Sequence, residues 1–122
     1  MSKHNIGKKL KGTGVALVTP FTKNLKIDFD GLRNLMEHTS TGGVDYFVVL
    51  GTTGESPTLS KEEKKDILEF VKKNNKKKLP IVYGMGGNNT EEIIESFNTI
   101  ELNGITALLS VSPYYNKPTQ SG

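Results

Sequence analysis

Four short apolar runs rich in β-formers, Val15–Thr19, Tyr46–Leu50, Ile81–Gly84 and Ala107–Val111, are separated by segments with helical periodicity. That alternation restricts the fold more than any other feature of the chain. In the first intervening segment Asp28 can cap a helix, Leu32, Leu35, Met36 and Thr39 share one face, and Gly42-Gly43 stops it. In the second, Ser60 and Glu63 form a capping box ahead of Ile67, Leu68 and Val71, and Pro80 introduces the next strand. In the third, Thr90 is the expected cap, Ile93, Ile94, Phe97 and Ile100 are the apolar positions, and Gly104 lies past the end. The order βαβαβαβ implies parallel strands joined by right-handed crossovers.

Two architectures use this order, an open doubly wound sheet and a (β/α)8 barrel. The loops after the strands favour the barrel. Thr19-Pro20, the GTTGES stretch Gly51–Ser56, the GMGGNN stretch Gly84–Asn89 and the SPYYN stretch Ser112–Asn116 all follow a strand's carboxyl end. The opposite pole carries plain, lysine-rich connections such as Asn74–Leu79. Polar loops after every strand describe a barrel mouth, whereas an open sheet gathers them at one switch point. The expected organisation is a leader over residues 1–11 and a partial barrel over 12–122. A parallel sheet needs both faces covered, and four strands with three helices leave an apolar inner face and two edges. The chain is therefore expected to be the first part of a longer protein.

Composition narrows the function classes. The chain has 122 residues, enough for one domain, and no cysteine, which excludes a disulfide framework and thiolate metal sites and fits a reducing, cytoplasmic setting. The N-terminus lacks the apolar core of a signal peptide, and no run approaches the roughly 18 residues of a membrane span. The net charge is +3, with Lys72, Lys73, Lys76, Lys77 and Lys78 clustered near the expected end of the second helix. No aromatic residues are interleaved with them, so cations favoured at a helix carboxyl end explain the cluster better than a nucleic-acid patch does. His4 and His38 have no partners that would make a metal site or a triad.

In GTTGES, Gly51 and Gly54 permit close backbone approach, and the hydroxyls of Thr52 and Thr53 can donate to a carboxylate or pass a proton. Glu55 can serve as acid or base, or orient the loop from behind, and a plain glycine turn remains an alternative. The Lys-Ser/Thr pair of a phosphate loop is absent, and GMGGNN lacks the dinucleotide fingerprint spacing. Tyr114 and Tyr115 are adjacent, so in extended backbone they point to opposite sides, one toward the mouth and one toward packing or a partner. A tyrosine hydroxyl with polarising neighbours can relay a proton. Lys117, in an Asn-Lys-Pro setting, looks too exposed for amine catalysis.

GTTGES after the second strand and SPYYNKPTQ after the fourth, with GTGVALVTPF and GMGGNNT, resemble the dihydrodipicolinate synthase family. The resemblance runs from about Gly12 to the end and corresponds to the N-terminal part of a family member. It implies a (β/α)8 barrel, usually a homotetramer of two tight dimers. The implied reaction condenses pyruvate with aspartate-4-semialdehyde, on the route to diaminopimelate and lysine, through a lysine Schiff base and without metal or organic cofactor. By that resemblance Thr53 binds the pyruvate carboxylate, Thr52 joins the proton relay, and Tyr115 is the relay member that reaches into a neighbouring subunit. The positions matching the family's allosteric lysine pocket are Ser56, Pro57, Lys61, Lys64, Asn88, Glu92 and Tyr114. Lys61 and Lys64 would repel a lysine ammonium, so insensitivity to lysine is expected.

Two departures stand out. Ser121 replaces a glutamate, and the Schiff-base lysine, second relay tyrosine and carboxylate-binding arginine are not in this chain, so it is expected to be inactive alone. The alternatives are another pyruvate-dependent aldolase, or a non-catalytic interaction module associating through its barrel edges.

Overall fold

The computed structural model describes residues 6–122. His4 and the first part of the leader lie outside the described residues. Helix α1 (Ile6–Lys9) is one turn; then come β1 (Gly14–Ala16), α2 (Phe29–Thr41), β2 (Tyr46–Val49), α3 (Lys61–Asn74), β3 (Ile81–Gly84), α4 (Thr90–Thr99) and β4 (Ala107–Leu109). The four strands form one sheet in the order β1-β2-β3-β4, and every neighbouring pair is parallel. The βαβαβαβ order is as the periodicity predicts, with α1 added inside the leader.

Register separates the two faces. Val15, Phe47, Ile81 lie in one paired row, and Val49 pairs with Tyr83, which pairs with Leu108. These side chains point toward the helices and join Leu32, Met36, Ile67, Leu68 and Val71 in the core. The alternate row Ala16, Val48, Val82, Ala107 faces the other way. Val82 is buried yet stands outside the helix-side cluster, which fits its place on the inner face.

The caps show why the helices start where they do. The Asp28 carboxylate accepts from the Gly31 amide, and the Ser60–Glu63 capping box is complete in both directions. At α4 the cap is Asn89 rather than Thr90. Its side-chain oxygen accepts from the amides of Glu91 and Glu92, leaving Thr90 as the first helical residue. Asparagine competes well for that role because its short carbonyl reaches the first-turn donors. Ile93 on α4 and Ile100 just past its end pack against the core, whereas Ile94 and Phe97 remain exposed.

The lysine cluster is largely tied to neighbouring elements. Lys72 donates to the Glu69 carboxylate and the Glu101 carbonyl, Lys77 to the Ser40 carbonyl, and Lys76 pairs with Glu37. The Lys76 ammonium holds the Glu37 carboxyl below the usual carboxylate range. Lys72 and Lys73 stand in the last turn of α3, the placement expected from the sequence, while Lys77 meets a carbonyl in the last turn of α2.

Candidate active-site mouth

β2 ends in an unusual turn. Leu50 has φ 58°, a left-handed conformation that costs a branched residue about 1–2 kcal/mol. The chain then enters a 3-10 turn, Thr52–Gly54, closed by the Glu55 amide donating to the Thr52 carbonyl, with Glu55 itself at φ 55°. A second 3-10 turn, Ser56–Thr58, leads into the α3 cap. Non-glycine residues in left-handed backbone, Leu50 and Glu55, flank the 3-10 turn Thr52–Gly54 on both sides. Such strain persists only where surrounding contacts over-determine it.

One of those contacts comes from the segment that follows β1. Thr19 is 6% exposed, and its hydroxyl donates to the Gly54 carbonyl at 2.7 Å. This explains why β1 is shorter than the run Val15–Thr19. Leu17 still donates to the Val48 carbonyl, but Thr19 has left the ladder to tether the loop. The sequence places Thr19 at a strand end; only the fold supplies its partner, 35 positions away. Replacing Thr19 with valine keeps the shape and strips the Gly54 carbonyl of this bond. The expected loss of stability is about 1–3 kcal/mol, read as a lowered urea midpoint at unchanged slope.

Thr52 and Thr53 sit together on the first turn, both exposed. A β-carbon built on Gly51 would lie 3.6 Å from Val48 and 4.0 Å from Leu109, so the loop begins directly over the inner face. Asn88, in the loop after β3, accepts from the Tyr114 amide at 2.7 Å and so ties that loop to the one after β4. Ladder pairing at β4 ends with the Met85 amide on the Leu109 carbonyl, which is why that strand stops at Leu109 instead of Val111.

The expected alternation of the two tyrosines does not hold, because Tyr115 has φ 70° rather than extended backbone. The turn leaves Tyr114 42% and Tyr115 92% exposed. Lys117 is exposed as expected.

Four of the remaining candidates share a cleft on the helix side of the sheet. Ser56, Lys61, Lys64 and Glu92 line a cleft of about 610 Å³ between α3 and α4, floored by Tyr83 and Met85. Burial raises the Tyr83 phenol above its ordinary value. Asn88, Tyr114 and Pro57 are not among the cleft's lining residues. Glu62, Lys65, Glu69 and Glu101 also line it, so the cleft carries charges of both signs. Among the described residues no group of three or more His, Cys, Asp or Glu could hold a metal ion, and no helix is long and apolar enough to cross a membrane.

Comparison with known proteins converges on one family. The Dihydrodipicolinate synthetase family matches residues 9–122. The 4-hydroxy-tetrahydrodipicolinate synthase of Cytophaga hutchinsonii is 51% identical over 111 residues, 91% of this chain and 37% of that protein. The crystal structure of dihydrodipicolinate synthase from Aquifex aeolicus superposes with a TM-score of 0.81 at 42% identity, over 91% of this chain and 38% of that one. A prophage protein of the dihydrodipicolinic acid synthase family from E. coli K12, solved in complex with pyruvate, gives a TM-score of 0.81 at 29% identity over 92% of this chain and 38% of that one. The chain thus spans somewhat over a third of the length of these relatives, and its parallel sheet matches the N-terminal part of their barrels. By family match, identity and fold, this chain belongs to the Dihydrodipicolinate synthetase family.

Proposed function

We propose that this chain supplies the pyruvate-holding and proton-relay side of a 4-hydroxy-tetrahydrodipicolinate synthase site, a cytoplasmic lyase that joins pyruvate to aspartate-4-semialdehyde. The observation that supports the reading is the strained, tethered GTTGES turn, which carries Thr52 and Thr53 together on one 3-10 turn just past the end of β2. Thr53 donates to the pyruvate carboxylate. Thr52 passes protons together with Tyr115, whose exposure suits a side chain that serves a neighbouring subunit of a homo-oligomer. Pyruvate as substrate is supported by the pyruvate complex of the related prophage protein.

The nucleophile is the enamine that pyruvate forms when its keto group condenses, with loss of water, to a Schiff base on a lysine carried elsewhere in the barrel and then gives up a methyl proton; the aldehyde of the second substrate is the electrophile. Borohydride with pyruvate should therefore add no mass to the 122-residue chain and should add one reduced pyruvate to a barrel that contains it. A barrel that gains no adduct would remove the assignment to this chemistry. Acceptor choice is tested by offering aspartate-4-semialdehyde against other aldehydes.

The cleft holding Ser56, Lys61, Lys64 and Glu92 is expected not to take free lysine, because the cations Lys61 and Lys64 among its lining residues oppose the binding of another ammonium. Activity of the complete enzyme should stay within about twofold between zero and millimolar lysine, since like charges at contact cost only about 1 kcal/mol in water but oppose binding throughout. Clear inhibition by lysine would show that Glu92 and its carboxylate neighbours dominate instead.

A further inference from the structure

We propose that Thr19 is a positioning residue for the condensation: its hydroxyl, acting through the Gly54 carbonyl, fixes the turn that carries Thr52 and Thr53. The inference rests on the roles proposed above for those two threonines, and adds a third residue on which both depend.

The need for Thr19 is written into the loop. In a 3-10 turn each carbonyl accepts from the amide three residues on. The Gly51 carbonyl takes the Gly54 amide and the Thr52 carbonyl takes the Glu55 amide. Three residues beyond Gly54 stands Pro57, which has no amide to give. The Thr58 amide, next along, goes to the Glu55 carbonyl. Gly54 is buried, so its carbonyl requires a donor from outside the loop. The Thr19 hydroxyl is that donor, at 2.7 Å.

Both ends of the tether are held. A β-carbon on Gly54 would lie 3.3 Å from the Leu17 carbonyl oxygen and 3.5 Å from the Thr19 hydroxyl, so the bare glycine lets the turn settle onto the segment after β1. Thr19 precedes Pro20, which confines its backbone to extended conformations. The Pro20 carbonyl accepts from the Asp28 amide at 2.8 Å, and Phe21 bridges Ile27. A β-carbon on Gly31 would come within 3.3 Å of the Pro20 ring, so this segment is braced against the start of α2. The tether therefore joins a fixed post to a turn flanked by the left-handed residues Leu50 and Glu55. Without it that strain is free to relax, and the two threonines move with the turn. A shift of about 1 Å at a reacting group costs on the order of 10²-fold in rate.

In a complete barrel carrying this chain, Thr19→Val should lower kcat/KM for pyruvate by about 10²-fold, with KM raised and kcat lowered together because both threonines are displaced at once. Thr19→Ser keeps the donor and should return both constants to near the parental values. Ser60→Ala loses the α3 cap without touching Gly54, and should leave both constants unchanged, which separates position from loss of stability. Hydrogen exchange reads the turn without reference to the reaction. The Gly54 and Glu55 amides should exchange on the order of tenfold faster in Thr19→Val, while the Leu17 amide, bonded to the Val48 carbonyl, keeps its parental rate. Unchanged exchange in Thr19→Val would overturn the proposal. So would faster exchange with kcat and KM intact, or a Thr19→Ser barrel as impaired as Thr19→Val. A parental barrel that traps no pyruvate with borohydride would instead overturn the reading of Thr52 and Thr53, and the exchange rates would still report whether Thr19 holds the turn.

Discussion

Gly84→Ala is expected to destabilise the chain by about 3 kcal/mol or more, the upper end of what overpacking a core costs. A β-carbon at this position would lie 2.2 Å from the Leu50 carbonyl oxygen, 2.5 Å from its carbon and 2.6 Å from the Gly51 nitrogen. All three are backbone atoms, so no rotamer change relieves the clash. They belong to the segment where β2 leaves the sheet in left-handed backbone, which means the clash falls on the turn that presents the threonines. Gly87→Ala is the matched control, since its β-carbon would meet nothing nearer than 3.9 Å. That variant should stay within about 0.5 kcal/mol of the parent in urea unfolding. Equal stability for the two variants would show that the β2 exit can move aside, and that its strain is not held in place by β3.

In a complete barrel carrying this chain, Thr52→Val is expected to lower kcat by about 10²–10⁴-fold, the range for loss of a positioned proton-transfer group. Thr53→Val is expected to act on binding instead. Losing one hydrogen bond to a charged carboxylate costs about 1.5–3 kcal/mol, which raises the pyruvate KM by about 10–150-fold. The two residues share one 3-10 turn, so a general distortion of that turn would impair both parameters in both variants. Separation of kcat from KM therefore distinguishes the proposed roles from simple damage. Borohydride trapping adds a second readout, because Thr52→Val should still form the pyruvate adduct at saturating pyruvate. An unchanged kcat in Thr52→Val would remove it from the relay.

Much of this was legible in the sequence because it depends on local chemistry. The Ser60–Glu63 box, the Asp28 cap and the strand Ile81–Gly84 stand where the pattern put them, since each depends on residues within a few positions. The errors are local too. At α4 two adjacent residues could both cap, and side-chain reach chose Asn89. The strand runs Val15–Thr19 and Ala107–Val111 are longer than the strands formed, because apolar periodicity continues after ladder pairing has ended. The assumed alternation of Tyr114 and Tyr115 required extended backbone, which the left-handed Tyr115 does not have.

By itself, then, the sequence determined the parallel βαβαβαβ order, the pole that carries the polar loops, and the family, through GTTGES and SPYYNKPTQ. Only the tertiary structure decided that Thr19 holds Gly54, that Gly84 must lack a side chain, that Asn88 ties down Tyr114, and that four candidate residues share a cleft on the outside of the sheet. The physical reason is range. Helix caps and strand periodicity are set by neighbours along the chain, whereas these contacts join residues 26 or more positions apart and exist only once strand register has been fixed.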